Sequence, residues 1–248
     1  MKNYLSILLL IFFVISCSQP PLEEPLTPNE LTFPSNKVGA HFVNYLEHVE
    51  YKHQVFEALE VDLIYSSDRN IFYVAHGLAD TVGNILFEDW LHQIQNPEKN
   101  WFWLDLKNLN QKNAEPIAQL LVNLLNEYGI IHQTICENKD VKALAVLKRD
   151  GLAVCYWIKQ DKFLRKVLGK KIWGRIIKKN VAYLKPHAIS ASYLMYPLVT
   201  SVFPDANFLF WNTPINDLNE NMEMTRKLCR LPNVKVVIVD YPEPIDYE

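Results

Sequence analysis

Residues 58–77 read ALEVDLIYSSDRNIFYVAHG. Two apolar runs flank the polar segment 66–70, which is the pattern of a strand, a tight reversal and a returning strand. The first run carries Glu60 and Asp62, two positions apart. Side chains alternate along a strand, so both carboxylates lie on one face. The second run stops at His76. A strand apolar enough to be buried yet carrying two acids must have something that compensates their charge.

Outward from this unit the chain alternates short apolar runs with helical patterns. The runs are 37–43, 59–65 with its return at 71–75, 101–106, 130–135, 152–157, 187–191, 207–211 and 233–240. Helices fit 47–57, 86–95, 114–128 (ending at Gly129), 139–150 (capped by Asn138), 161–179, 193–203 and 216–230. Continuous apolar strands alternating with helices imply a parallel sheet covered on both faces. With the hairpin counted as one, eight such units predict an α/β chain closed as a single-domain (β/α)8 TIM barrel over 37–248, and a doubly wound open sheet is the fallback. The chain holds only 7 glycines and shows no glycine-rich phosphate loop, which argues against a P-loop or dinucleotide fold. A net charge of -3 over 248 residues does not favour nucleic acid as a partner.

The first residues stand apart from the fold. Lys2, an apolar run from Leu5 to Ile15, and Ser16-Cys17 read as a secretory signal over 1–17, the run being too short to span a bilayer comfortably. Val14-Ile15-Ser16-Cys17 resembles a bacterial lipobox, which implies lipidation at Cys17, export and anchoring to a membrane of the cell envelope; an uncleaved anchor is the alternative. Residues 18–36, rich in proline and acids, read as a flexible tether. Cys136, Cys155 and Cys229 lie in or beside apolar segments and are expected as buried thiols, not a disulfide framework.

In a barrel of this kind the chemistry sits at the C-terminal strand ends. His41 falls late in the first strand with Asn44 just beyond, Glu60 and Asp62 lie on the second, and His76 follows the return. Asp105 and Lys107 close the third, again two apart on one face. Three converging carboxylates in a dry interior either rise in pKa or hold a cation. An oxygen-only set favours a hard ion, Mg2+ or Ca2+. Two flanking histidines suit acid and base roles, and Lys107 adds positive charge. A phosphodiester fits such a site.

The order His41, Glu60-x-Asp62, His76 and Leu104-Asp105-Leu106-Lys107 resembles the glycerophosphodiester phosphodiesterase-like barrels of the phospholipase-C-like superfamily. Trp211-Asn212-Thr213 and Val239-Asp240-Tyr241-Pro242 are similar to that family's late motifs. The resemblance implies His41 and His76 as the catalytic pair, Glu60, Asp62 and Asp105 as metal ligands, and Lys107 as a phosphate contact. It implies attack by the substrate's own neighbouring hydroxyl, with a cyclic phosphate that water then opens. The substrate would be a glycerophosphodiester or a related phospholipid head group. The chain departs from the family at Phe42, where arginine is usual, at Gly77, where aspartate is usual, and at Asp105, where glutamate is common. His41-x-x-Asn44 is closer to the menorin-type branch.

Other positions carry two readings each. Glu137, placed just past the fourth strand, either touches the site or only precedes a helix. Tyr156, Trp157, Lys159, Ser190 and Ser192 are candidates to line the pocket. Asn44 is a candidate substrate contact, and Trp211 is either an aromatic wall of the pocket or core packing. His48, His53, His92 and His132 read as structural or exposed, and His187 lies at the far end of the barrel. Residues 159–179 carry nine lysines and arginines against one acid, Asp161. They form either a membrane-resting face or an ordinary solvated helix. The rivals to a phosphodiesterase are a non-catalytic barrel that binds phosphate-bearing ligands or a protein, and a glycoside hydrolase. The latter would want a carboxylate where Trp211-Asn212-Thr213 stands.

Overall fold

A computed structural model describes residues 31–77, 85–159, 174–212 and 218–247. The signal segment 1–17, the tether up to residue 30, and most of the basic stretch 159–179 lie outside the described residues. Nine strands occur among the described residues: β1 (Val38–Ala40), β2 (Ala58–Ser66), β3 (Ile71–Val74), β4 (Trp101–Leu106), β5 (Thr134–Asn138), β6 (Ala153–Trp157), β7 (Ala188–Ser192), β8 (Phe208–Trp211) and β9 (Val234–Val239). All but β3 run parallel, in the order β1-β2-β4-β5-β6-β7-β8-β9, and β9 pairs back onto β1 to close a (β/α)8 barrel. β3 is the antiparallel return of the β2 hairpin, with Leu63 opposite Val74 and Ser66 opposite Ile71.

Strand alternation sorts the core into two clusters. Inside the barrel sit Ala58, Trp101, Trp103, Ile135, Leu209 and Ile238, among others. Outside, facing the helices, sit Leu59, Val61, Leu63, Phe102, Leu104 and Phe210. Both faces are apolar, which is why these strands read as near-continuous hydrophobic runs. Helices α1 (Leu46–Val55), α2 (Phe87–His92), α3 (Ala114–Glu127), α4 (Val141–Arg149), α5 (174–184), α6 (Tyr196–Val202) and α7 (Leu218–Cys229) are the described parts of the outer ring. None of the described helices is long and apolar enough to cross a membrane. Gly39 lies where β1 meets β2 and β9; a Cβ there would come 2.9 Å from the Ala58 Cβ, so only glycine fits.

Several boundaries differ from expectation for identifiable reasons. β5 begins at Thr134, not 130, because residues 131–133 form a 3-10 turn and Thr134 Oγ1 donates back to the Ile130 carbonyl (2.7 Å). Glu137 is therefore inside the strand. α4 is capped by Asp140, whose side chain accepts from the Lys142 and Ala143 amides. Asn138 instead accepts from the Asp140 amide and donates to the Leu106 carbonyl. β1 ends early because Phe42 adopts φ 54, which turns the chain off the sheet. Residues 31–36, read as the end of a tether, are fixed to the barrel. Leu31 and Phe33 pack on its interior cluster, Trp101 Nε1 donates to the Thr32 carbonyl, and Glu57 accepts from Ser35 and Asn36. Cys136, Cys155 and Cys229 are free and buried, as expected.

Candidate active site

The barrel register assembles the acids. Asp62 on β2 aligns with Asp105 on β4, and Asp105 aligns with Glu137 on β5, so adjacent strands carry carboxylates at one level. Glu60 sits one inward position below Asp62. Oxygens of Glu60, Asp62 and Asp105 all lie within 4.8 Å of one another. Around them opens a cavity of about 470 Å³, walled among others by His41, Phe42, His76, Lys107, Trp157 and Trp211.

Each acid is held by specific donors. Phe42 N–H donates to Glu60 Oε2 (2.7 Å). Asn44 spends both ends of its amide on Asp62: Nδ2 donates to Asp62 Oδ2 (2.7 Å), and Oδ1 accepts from the Asp62 amide (3.0 Å). Lys107 Nζ lies 2.6 Å from Asp62 Oδ1 and 2.5 Å from Asp105 Oδ2. His76 Nδ1 lies 2.9 Å from Asp62 Oδ2. His41 Nδ1 lies 2.9 Å from Asp240 Oδ1, and its Nε2 is 3.9 Å from Glu60 Oε2. Each histidine thus has its Nδ1 held by a carboxylate.

Burial and neighbouring charge set the protonation. Burial raises Glu60 well above the usual carboxylate range, and the Asp62 and Asp105 charges add to it. Burial alone would raise Asp62 as well, but the Lys107 ammonium and the bonds from Lys107, Asn44 and His76 outweigh it, and Asp62 is held low. Asp105 is raised by burial despite Lys107. Burial opposes the charge on Lys107, yet Asp105 and Asp62 together push its pKa up. Glu137 is raised well above the usual range by burial, then by Asp105, against the opposing Ser190 hydroxyl, and its Oε2 has no hydrogen-bond partner within bonding geometry among the described residues. Four carboxyl groups thus share one interior, with the Lys107 ammonium, alone among the described residues, interposed between Asp62 and Asp105. The donors are all hard oxygens, and one buried oxygen is left over, so the set suits a hard divalent cation.

His41, His76, Glu60, Asp62, Asp105 and Lys107 all come together as expected. Trp211 is on the cavity wall, its ring edge-to-face with Trp157 at 6.2 Å, and it also packs against the interior core. Asn44, expected as a substrate contact, is buried and off the wall. Tyr156 points outward to Asn180, while Ser190 and Ser192 are buried. Two further residues join the site: Glu137, which sequence reasoning had left open between a site contact and a helix start, and Asp240, which it had quoted only as part of a late motif. Glu137, expected just past the strand, lies within β5. Asp240 carried its own signal, a lone acid ending the V-K-V-V-I-V run of β9 at the mouth.

No protein-family model matches the chain, and no curated protein matches it. Solved structures do match. A glycerophosphodiester phosphodiesterase from Parabacteroides distasonis superposes with TM-score 0.61 at 14% identity, over 87% of this chain and 95% of that one. A phosphodiesterase from Oleispira antarctica, solved with the product sn-glycerol-3-phosphate, superposes with TM-score 0.57 at 16% identity, over 85% and 94%. A Galdieria sulphuraria protein assigned as a glycerophosphodiester phosphodiesterase gives TM-score 0.60 at 16% identity, over 85% and 96%. The chain therefore has the (β/α)8 fold of these enzymes. At such identities the likeness is one of fold, and function is argued from the site.

Proposed function

We propose that the chain is a phosphoric diester hydrolase acting on glycerophosphodiesters or related phospholipid-derived diesters with the help of a divalent cation, Mg2+ or Ca2+. One observation carries this reading: Glu60, Asp62 and Asp105 converge within 4.8 Å between two histidines, each oriented through Nδ1 by its own carboxylate. Glu60, Asp62 and Asp105 would hold the cation, which supplies charge stabilisation for the phosphoryl oxygens. Lys107 faces the same oxygens as a fixed positive charge. One imidazole takes the proton from a neighbouring hydroxyl of the substrate as its oxygen bonds to phosphorus. The other gives a proton to the departing alcohol as that P–O bond breaks. Water then opens the cyclic phosphate with the proton roles reversed. Asp240 and Asp62 hold the two imidazoles in one tautomer through these transfers, and Trp157 and Trp211 wall the site against bulk water. The Oleispira structure's bound product is the kind of molecule this cavity would release. The lipobox-like Cys17 supports an envelope lipoprotein carrying this barrel.

The test is hydrolysis of a phosphodiester panel by residues 18–248 with Mg2+, with Ca2+ and with chelator, beside His41→Ala and Glu60→Ala. Cation-dependent turnover lost in both variants is expected. Folded protein that turns over no diester under any condition would overturn the reading and leave a barrel that only binds.

A further inference from the structure

Phe42 is the most strained described residue on the cavity wall. Its φ of 54 lies in the left-handed region, which a bulky side chain occupies at a cost of roughly 1 kcal/mol. The backbone bond from its N–H to Glu60 would be served as well by glycine, without strain. What a glycine would lack is the ring. That ring stands between the two histidines, 6.3 Å from His41 and 5.8 Å from His76 by centroids. On its outer side it meets Tyr45 edge-on at 6.0 Å, and Tyr45 meets His48 at 5.1 Å. Tyr45 is 49% exposed and the adjoining Leu46 39%. A continuous ridge of rings thus begins at the reacting centre and runs out to solvent at the start of α1.

We propose that this ridge seats a hydrocarbon chain of the substrate, so that the site prefers a phosphodiester bearing one long alkyl or acyl chain over a fully water-soluble one. This rests on the phosphodiesterase reading for the phosphate end. The polar end of such a molecule falls among Lys107, the histidines and the carboxylates. Its apolar end leaves past Phe42, the wall residue between the two imidazoles, and lies against Tyr45 and Leu46. Successive rings meet at 66° and 78°. Such a surface offers a chain dispersion contacts and shelter from water.

Two measurements test it. The first is binding of dodecylphosphocholine, below its micelle concentration, against phosphocholine, followed by calorimetry in wild type, Phe42→Ala and Tyr45→Ala. Wild type is expected to bind the chain-bearing ligand at least about tenfold more tightly, and each variant to lose most of that ratio. Equal affinities in wild type, or a ratio unchanged in both variants, would overturn the proposal. The second is the ratio of kcat/KM for a long-chain lysophosphatidylcholine over glycerophosphocholine, expected above one and lowered in both variants. A ratio at or below one in an active enzyme would also overturn it. Chain-dependent binding lost in the variants, without turnover of either diester, would support the ridge and sink the hydrolase reading instead.

Discussion

Lys107→Met keeps the length of the side chain and removes its ammonium from between Asp62 and Asp105. Those contacts are 2.6 and 2.5 Å, and the two carboxylates are only 2% and 19% exposed. Removing one partner of a buried pair costs about 3–5 kcal/mol, because the other charge stays behind unpaired. The partial exposure of Asp105 sets the expected loss near the lower end, about 3 kcal/mol. In a domain of this size about 1 kcal/mol moves Tm by roughly 2–4 °C, so the metal-free variant should melt roughly 6–12 °C below wild type at about pH 8. Without the lysine, Asp62 and Asp105 bind protons more tightly folded than unfolded. The deficit is therefore largest above their raised pKa values and shrinks as pH falls toward about 5. A divalent cation competes with the ammonium for the same oxygens, so saturating Ca2+ or Mg2+ should raise the variant's Tm more than that of wild type. Circular dichroism melts in chelator and in cation, at both pH values, read all three effects. A variant melting within about 2 °C of wild type at about pH 8 would refute the argument that Lys107 compensates the cluster.

His187, at the barrel end away from the site, has its pKa pulled down to about 4 by burial, with Lys148 adding, and its Nδ1 accepts from the Val154 amide (3.1 Å). Its folded pKa lies below the unfolded value, so the stability it contributes is full above about pH 6.5 and lost as pH falls toward about 4. His187→Gln should flatten that limb of the stability curve relative to wild type, as read by denaturant melts at stepped pH. Gly39→Ala should cost about 1–3 kcal/mol in urea unfolding, since its Cβ meets that of Ala58 at 2.9 Å. Adding Ala58→Gly should recover only part of this, because the Ala58 carbonyl remains 3.1 Å away. Asp240→Asn should lower kcat by about 10–100-fold with little change in KM, because it disturbs the orientation of His41 and leaves substrate contacts in place. A loss confined to KM in steady-state kinetics would place Asp240 in binding.

The hairpin at 58–77 fixed most of what was legible. Its alternation put Glu60 and Asp62 on one face, and two-residue spacing did the same for Asp105 and Lys107; strand period is a local property that needs no neighbours. What escaped depends on register and on distant partners. Glu137 was left open between site and helix start, and it fell inside the strand only because a 3-10 turn, which apolar periodicity does not encode, moved the strand start from 130 to 134. Asn44 looks like a substrate ligand in sequence because its type and place fit. Only the fold shows that both ends of its amide are taken by Asp62, 18 positions later. The docking of residues 31–36 hid behind a composition of proline and acid. Its anchors, Trp101 and Glu57, lie far down the chain.

The two halves of the site differ in how far apart their members lie along the polypeptide. His76 and Asp62 are 14 positions apart and joined by one hairpin, whereas His41 and Asp240 are 199 positions apart and meet only where β1 and β9 close the barrel. The hairpin needs only its own two strands, while His41 needs the strand that ends the barrel. A chain in which β9 had not yet met β1 would therefore keep the His76–Asp62 pair but leave His41 without Asp240. The pairing of β1 with β9 is thus the closure that sets His41 against Asp240.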